Sequence, residues 1–99
     1  MSGAELKSGN FFGQVTHRYV CAGATISEIC HPRARRVPLH SHEAAYFSLL
    51  LGGGYRETFG RRTIEYGLRA ISFHPPGTVH RGEFDASGGR MFAIELAST

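Results

Sequence analysis

The 99-residue sequence has no tryptophan, only two cysteines and a single lysine. The cysteines, Cys21 and Cys30, never form a C-x-x-C spacing, which excludes a zinc ribbon. They are expected to be buried, reduced thiols of a cytoplasmic protein, without a disulfide. No apolar run approaches the roughly eighteen residues that a membrane span requires. The opening stretch, MSGAELKSGN, lacks the hydrophobic segment of a secretory signal, which again points to the cytoplasm. No window of about eleven residues carries helical periodicity with caps, so helix is expected to be minor. There is no internal repeat, low-complexity tract or linker. One domain is expected over residues 12–99, preceded by an N-terminal tail over residues 1–11.

What is present suits a compact β-structure. Hydrophobic residues make up 41% of the chain, enough for a real core. The net charge is +3, and all the basic residues except Lys7 are arginine. They gather at PRARR (Pro32 to Arg36) and GRR (Gly60 to Arg62). No aromatic residue is interleaved with either cluster to stack on bases, so both read as solvated turns rather than a nucleic-acid footprint.

Short segments rich in β-branched and aromatic residues recur between glycine and proline breakers. Candidate strands are Val15 to Val20, Ala24 to Cys30, Ala45 to Leu51, Tyr55 to Phe59, Thr63 to Tyr66, Arg69 to His74, Val79 to Phe84 and Arg90 to Leu96. The breakers include GGG at 52–54, PPG at 75–77 and SGG at 87–89. About eight antiparallel strands with regular turns imply an all-β sandwich or barrel.

Strand parity puts His40, His42, Ala44, Tyr46, Ser48 and Leu50 on one face if pairing is regular. The opposite face then carries Phe47, Leu49 and Leu51. An apolar outer face needs a cover, and a homodimer built on it is expected.

Six histidines divide unequally. His17 and His31 read as surface or packing residues. His74, before Pro75, is expected to end a strand and bond to the backbone. His40 and His42 differ, because positions i and i+2 on a strand aim both imidazoles the same way. Two ring nitrogens can then approach one ion at about 2.0–2.1 Å. His80, just after PPGTV, offers a third. The same residues could instead line an empty polar pocket for an organic ligand.

HSHEAAY at 40–46 and PPGTVH at 75–80 resemble the two signature motifs of the cupins, over residues 12 to 96. The resemblance implies a small jelly-roll barrel. It assigns metal-ligand roles to His40, His42 and His80, for Zn²⁺, Fe²⁺, Ni²⁺ or Mn²⁺. The glutamate of the first motif falls on Tyr46, and the asparagine that often follows the second falls on Phe84. Glu43 should point away from the barrel. His40, His42, Tyr46, His80 and Phe84 are therefore the expected ligand-binding residues.

The wider stretch VPLHSHEAAYFSLLLGGGYRETFG, with SFHPPGTVHRGEF and GGRMFAIEL, is similar to the N-terminal effector-sensing domain of AraC-type transcriptional regulators. That similarity implies a small-molecule effector, a homodimer and a role in transcription regulation. No pair of helices suited to a major groove follows Leu96, so specific DNA binding by this chain alone is not expected. The alternative is a stand-alone metal-dependent enzyme, dioxygenase- or isomerase-like, using a three-histidine site. The missing carboxylate favours the binding module over the enzyme.

Overall fold

The computed structural model describes residues 3–97. It contains eight strands: β1 (Ala4–Leu6), β2 (Gln14–Cys21), β3 (Ala24–His31), β4 (Arg36–His42), β5 (Tyr46–Phe59), β6 (Arg62–Tyr66), β7 (Ile71–His74) and β8 (His80–Leu96). Among the described residues there is no helix. The sheet runs β1-β4-β8-β3-β2, while β5 pairs with β8 and carries β6 and β7 on its other edge. This is a small jelly-roll barrel of curled sheet, as expected.

The strands are not the eight expected. Val79 to Phe84 and Arg90 to Leu96 are one continuous strand, β8, and Ala45 to Leu51 joins Tyr55 to Phe59 in β5. The glycines between them are bends, not turns. Tyr46 to Thr58 pairs with Arg81 to Glu95 almost throughout, with register shifts at Leu50/Gly52 and Gly53/Tyr55. Gly53 lies opposite Gly89, and its φ of +79° is the left-handed conformation that glycine tolerates best. A Cβ at Gly53 would run into the Gly88 carbonyl. The paired strands can therefore bend together from one barrel wall to the other. The first half of β5 lies beside β7 and the second half beside β6.

Two strands escaped the sequence pattern. β4 carries Pro38 and two histidines and lacks alternation. β1 lies inside the segment expected to be a tail, and pairs in parallel with β4, Ala4 against His40 and Leu6 against His42. The barrel is thus not wholly antiparallel. Cys21 is exposed and Cys30 half-buried, so the expected burial of both thiols is not found. Both are free.

The core is small and divided. Ile29, Tyr46 and Ala93 form one buried cluster; Val37, Leu50 and Phe84 form another. Outside, cross-strand neighbours make an apolar row across five strands: Tyr19, Ile26, Ile94, Phe47 and Phe73. Phe73 is 50% and Tyr19 58% exposed, so this row meets solvent.

The bend yields a stability prediction. A non-glycine residue in the left-handed region costs about 1–2 kcal/mol before any clash. Gly53→Ala should therefore lower unfolding free energy by more than about 1 kcal/mol in urea denaturation. An unchanged midpoint would show that the bend does not need glycine there.

Candidate metal centre

The register of β4 against β8 sets His40 directly opposite His80. His42 follows two residues along β4, on the same inward face. The β7–β8 turn is tied to that strand, because the Gly77 amide donates to the His42 carbonyl at 2.9 Å. Three buried imidazoles, two from β4 and one from the start of β8, therefore converge. His40 Nε2 and His42 Nε2 are 3.1 Å apart, and the His40 and His80 ring centroids 4.2 Å apart. One ring nitrogen from each of the three lies within 4.8 Å of the others.

The far sides of two rings decide which nitrogen faces inward as a lone pair. His40 Nδ1–H donates to the Pro38 carbonyl at 2.7 Å, and His80 Nδ1–H to the Thr78 carbonyl at 3.1 Å. Each Nε2 is left free to act as a ligand. Backbone anchoring of this kind is the usual support of a metal-bound histidine. His42 Nδ1 is buried without a partner. The donor set fits a divalent transition cation.

Tyr46 occupies the place where the cupin resemblance puts a carboxylate. Its hydroxyl lies 3.4 Å from His80 Nε2. Burial raises its pKa well above the usual phenol value, so it stays neutral and is a hydrogen-bonding group rather than an anionic ligand. Phe84 is a buried wall residue, stacked on Tyr55 at 4.5 Å and on His31 at 4.1 Å. His31 is thus a packing residue, and exposed His17 pairs with Glu28 at 2.7 Å.

Glu57 was missed in the sequence, and His74 was misplaced. Glu57, 2% exposed, enters from the second half of β5. It accepts from His74 Nε2 at 2.9 Å and from the hydroxyls of Tyr66 at 3.2 Å and Tyr55 at 3.4 Å. Burial, with Glu57 adding to it, pushes Tyr66 up to about 12 and raises Tyr55 as well, so both phenols keep their protons and donate. His74 bonds to this carboxylate, not to the backbone as expected, and its ring stacks on Tyr46 at 4.4 Å. Glu57 Oε2 also comes within 3.4 Å of His80 Nε2. Glu57, His74 and His80 make a second group whose ligand atoms lie within 4.8 Å of one another. Apart from their parity on a strand, nothing local marks Tyr55 and Glu57 as inward, and the bend upstream shifts that parity.

The space around these groups is small. The cavity lined by both groups, Tyr46 and Phe84 measures about 40 Å³. A water needs roughly 10–15 Å³ on this kind of measure, and pockets for drug-sized ligands run to roughly 300–1,000 Å³. Phe11 and Phe12 close one end, with ring centroids 4.9 Å from His42 and 5.0 Å from His40 respectively. Glu95 accepts the Gly9 amide at 2.9 Å, and Arg18 donates to the Gly9 carbonyl, holding this N-terminal segment across the opening.

The fold is that of cupin domains. The chain superposes on the cupin domain of Cnp3 from Schizosaccharomyces pombe with a TM-score of 0.71 and 12% identity, covering 83% of this chain and 59% of that one. A cupin superfamily protein from Desulfitobacterium hafniense gives a TM-score of 0.70 and 15% identity, with 89% and 84% coverage. An HTH_3 family transcriptional regulator from Vibrio cholerae gives 0.66 and 14%, covering 78% of this chain and 44% of that one. No protein-family model and no curated protein matches the sequence. The chain spans about three fifths of the Cnp3 chain it superposes on. Among the described residues, no helix is long and apolar enough to cross a membrane.

Burial lowers the pKa of all three converging histidines from 6.5, His42 to about 3 and His80 to about 4. His31 is likewise held at about 4, by burial and by Arg35. In each case the unfolded chain takes up its proton first as pH falls. The stability these groups contribute is full above pH 6.5 and is lost as pH drops towards 4. Each histidine can add a slope of up to about 1.4 kcal/mol per pH unit in that window. Urea unfolding of metal-free protein between pH 7.5 and 4.5 should show this loss, and His42→Gln should flatten it. A pH-independent midpoint for the wild type would contradict the burial of neutral imidazoles.

Proposed function

We propose that this chain is a ligand-binding cupin module that holds one divalent transition cation through His40, His42 and His80. The ion is the point where an oxygen-bearing small molecule attaches. The observation that carries this reading is the anchoring of the His40 and His80 Nδ1–H groups on backbone carbonyls, which aims two Nε2 lone pairs inward beside His42. The 40 Å³ cavity supports it further, since an ion with a few waters fits and an organic effector bound by side chains alone does not. An effector reaches the ion only when the Phe11–Phe12 segment moves aside, and it then acts by preferring the open conformation to the closed one.

The role is similar to that of the effector-sensing domain of AraC-type regulators, in a cytoplasmic protein. The regulator from Vibrio cholerae supports a regulatory setting, because a barrel of this shape occupies under half of that chain. Tyr46, Phe84, His40, His42 and His80 all line the cavity and form the ligand-binding set. A second reading, a metal-dependent enzyme, is favoured by one observation. Glu57 and His74 place a carboxylate–imidazole pair beside His80, where protons can be held and moved.

Metal analysis of untagged protein tests the common premise. About one equivalent of divalent metal is expected in the wild type and none in His80→Ala. Metal-free wild type that also fails to take up Zn²⁺ would sink both readings. Oxygen uptake or substrate turnover by the loaded protein would move the conclusion to the enzyme.

The outer face belongs to the same proposal. A second copy of this chain covers the row from Tyr19 to Phe73, making a homodimer through the sheet that includes Phe47 and Leu49. Phe47 and Phe73 are the pair at the β7 end of the row, with ring centroids 4.8 Å apart, and Ile71 on the same strand as Phe73 is 68% exposed. Light scattering after size exclusion should give a dimer mass. Phe73→Glu should give a monomer with its melting cooperativity intact; a monomeric wild type would reject the interface.

A further inference from the structure

His80 belongs to two sets of potential ligands but has only one nitrogen to give. Its Nδ1–H is bound to the Thr78 carbonyl, so Nε2 alone faces the cavity. That nitrogen lies within 4.8 Å of ligand atoms of His40 and His42 in one group and of Glu57 and His74 in the other. Nε2, which carries the lone pair and has the Tyr46 hydroxyl at 3.4 Å, also stands 3.4 Å from Glu57 Oε2. Two lone pairs at that distance repel unless a cation lies between them. For two ligands bound to one ion at about 2.0–2.1 Å with a tetrahedral angle, the expected separation is about 3.3–3.4 Å. The pair His80 Nε2 and Glu57 Oε2 therefore already has the spacing of one edge of a coordination shell.

The carboxylate also needs a counter-charge. A buried anion is costly unless paired, and the basic side chains found beside Glu57 are imidazoles, His74 at 2.9 Å and His80 at 3.4 Å. Two phenols complete its hydrogen bonds and hold its plane. His74 now donates Nε2–H to the carboxylate, and an ion there would replace that proton.

We propose that the barrel contains a second seat for a divalent cation, formed by Glu57, His74 and His80, that overlaps the three-histidine seat at His80 so that one ion is held at a time. The inference rests on the metal-binding reading above. The seats differ in chemistry. The three-imidazole seat suits Zn²⁺, Ni²⁺ or Cu²⁺, and the seat with a carboxylate suits harder ions such as Mn²⁺ and Fe²⁺. The carboxylate that the first motif lacks is supplied from the same strand, eleven residues beyond Tyr46 and across the glycine bend.

Calorimetric titration of metal-free protein with Zn²⁺ and with Mn²⁺ separates the possibilities. Wild type should bind one equivalent in total, each ion displacing the other. Glu57→Gln should keep one equivalent of Zn²⁺ and lose Mn²⁺. His40→Ala/His42→Ala should still bind one equivalent of Mn²⁺, and adding Glu57→Gln should abolish it. Circular dichroism checks that each variant folds. If the double variant does not, His42→Ala alone, with and without Glu57→Gln, gives the same comparison with a smaller cavity. Two equivalents in the wild type would show that the seats do not share His80. Loss of all metal from a folded His42→Ala or double variant would show that the second seat does not exist. Either result leaves the three-histidine reading standing, whereas a wild type that binds neither ion removes both.

Discussion

The pairing of β5 with β8 around a glycine bend is the constraint on which the rest of this barrel depends. Tyr46 to Thr58 and Arg81 to Glu95 lie side by side through both walls of the molecule. A straight pair of that length would make a flat ribbon. The irregularities at Leu50/Gly52 and Gly53/Tyr55 curl it, and they also change which residues look inward. Tyr46, Ser48 and Leu50 face the interior before the bend; Tyr55 and Glu57 do so after it. One strand thereby delivers both the neutral phenol and the carboxylate to His80, each 3.4 Å from its Nε2. The same register leaves His80 facing His40 across β4.

The interior so built is polar to an unusual degree. Among the described residues, six hydrophobic side chains are buried, against eight polar or charged ones that include four histidines and two glutamates. Burial of this kind opposes charge on the imidazoles, holding His42 and His80 neutral near pH 7. Neutral imidazoles are what a cation needs as ligands, and a proton is the competitor they have been made poor at accepting. Desolvation, which costs stability as pH falls, is therefore the same effect that readies the site. Glu57 is the complement. Two phenols and His74 donate to its buried carboxylate.

What the sequence disclosed follows from how local each signal is. The histidines at 40 and 42 are legible because parity over two residues survives any register, and PPGTVH is legible because a turn fixes where the next side chain goes. The fold class came through as recurrent alternation and turn residues. Strand continuity did not. GGG and SGG have the composition of turns, and only the pairing of Gly53 against Gly89 shows them to be one bend shared by two strands. Glu57 was hidden for the same reason, since its facing depends on a shift upstream that composition does not encode. β1 was hidden because Ala4–Leu6 gains its structure from β4, a partner more than thirty residues away. His74 was misplaced because its partner, Glu57, was itself unseen.

A barrel whose inside is given over to histidines and carboxylates has to find apolar burial elsewhere. Two clusters of three buried residues are a thin core for a chain of this length. The outer row from Tyr19 through Ile26, Ile94 and Phe47 to Phe73 offers the missing area, and at present water covers much of it. A second subunit on this face would stabilise the sheet that carries Tyr46 and His74 without touching the imidazoles directly. β7 makes this coupling concrete. Its outward Phe73 sits in the apolar row, while the next residue, His74, turns inward to Glu57. Displacement of β7 at the interface would therefore move one ligand of the carboxylate seat and leave His40 and His42, on β4, where they are. With the proposed dimer and the proposed carboxylate seat, assembly and ion preference would be linked through two adjacent residues on this four-residue strand.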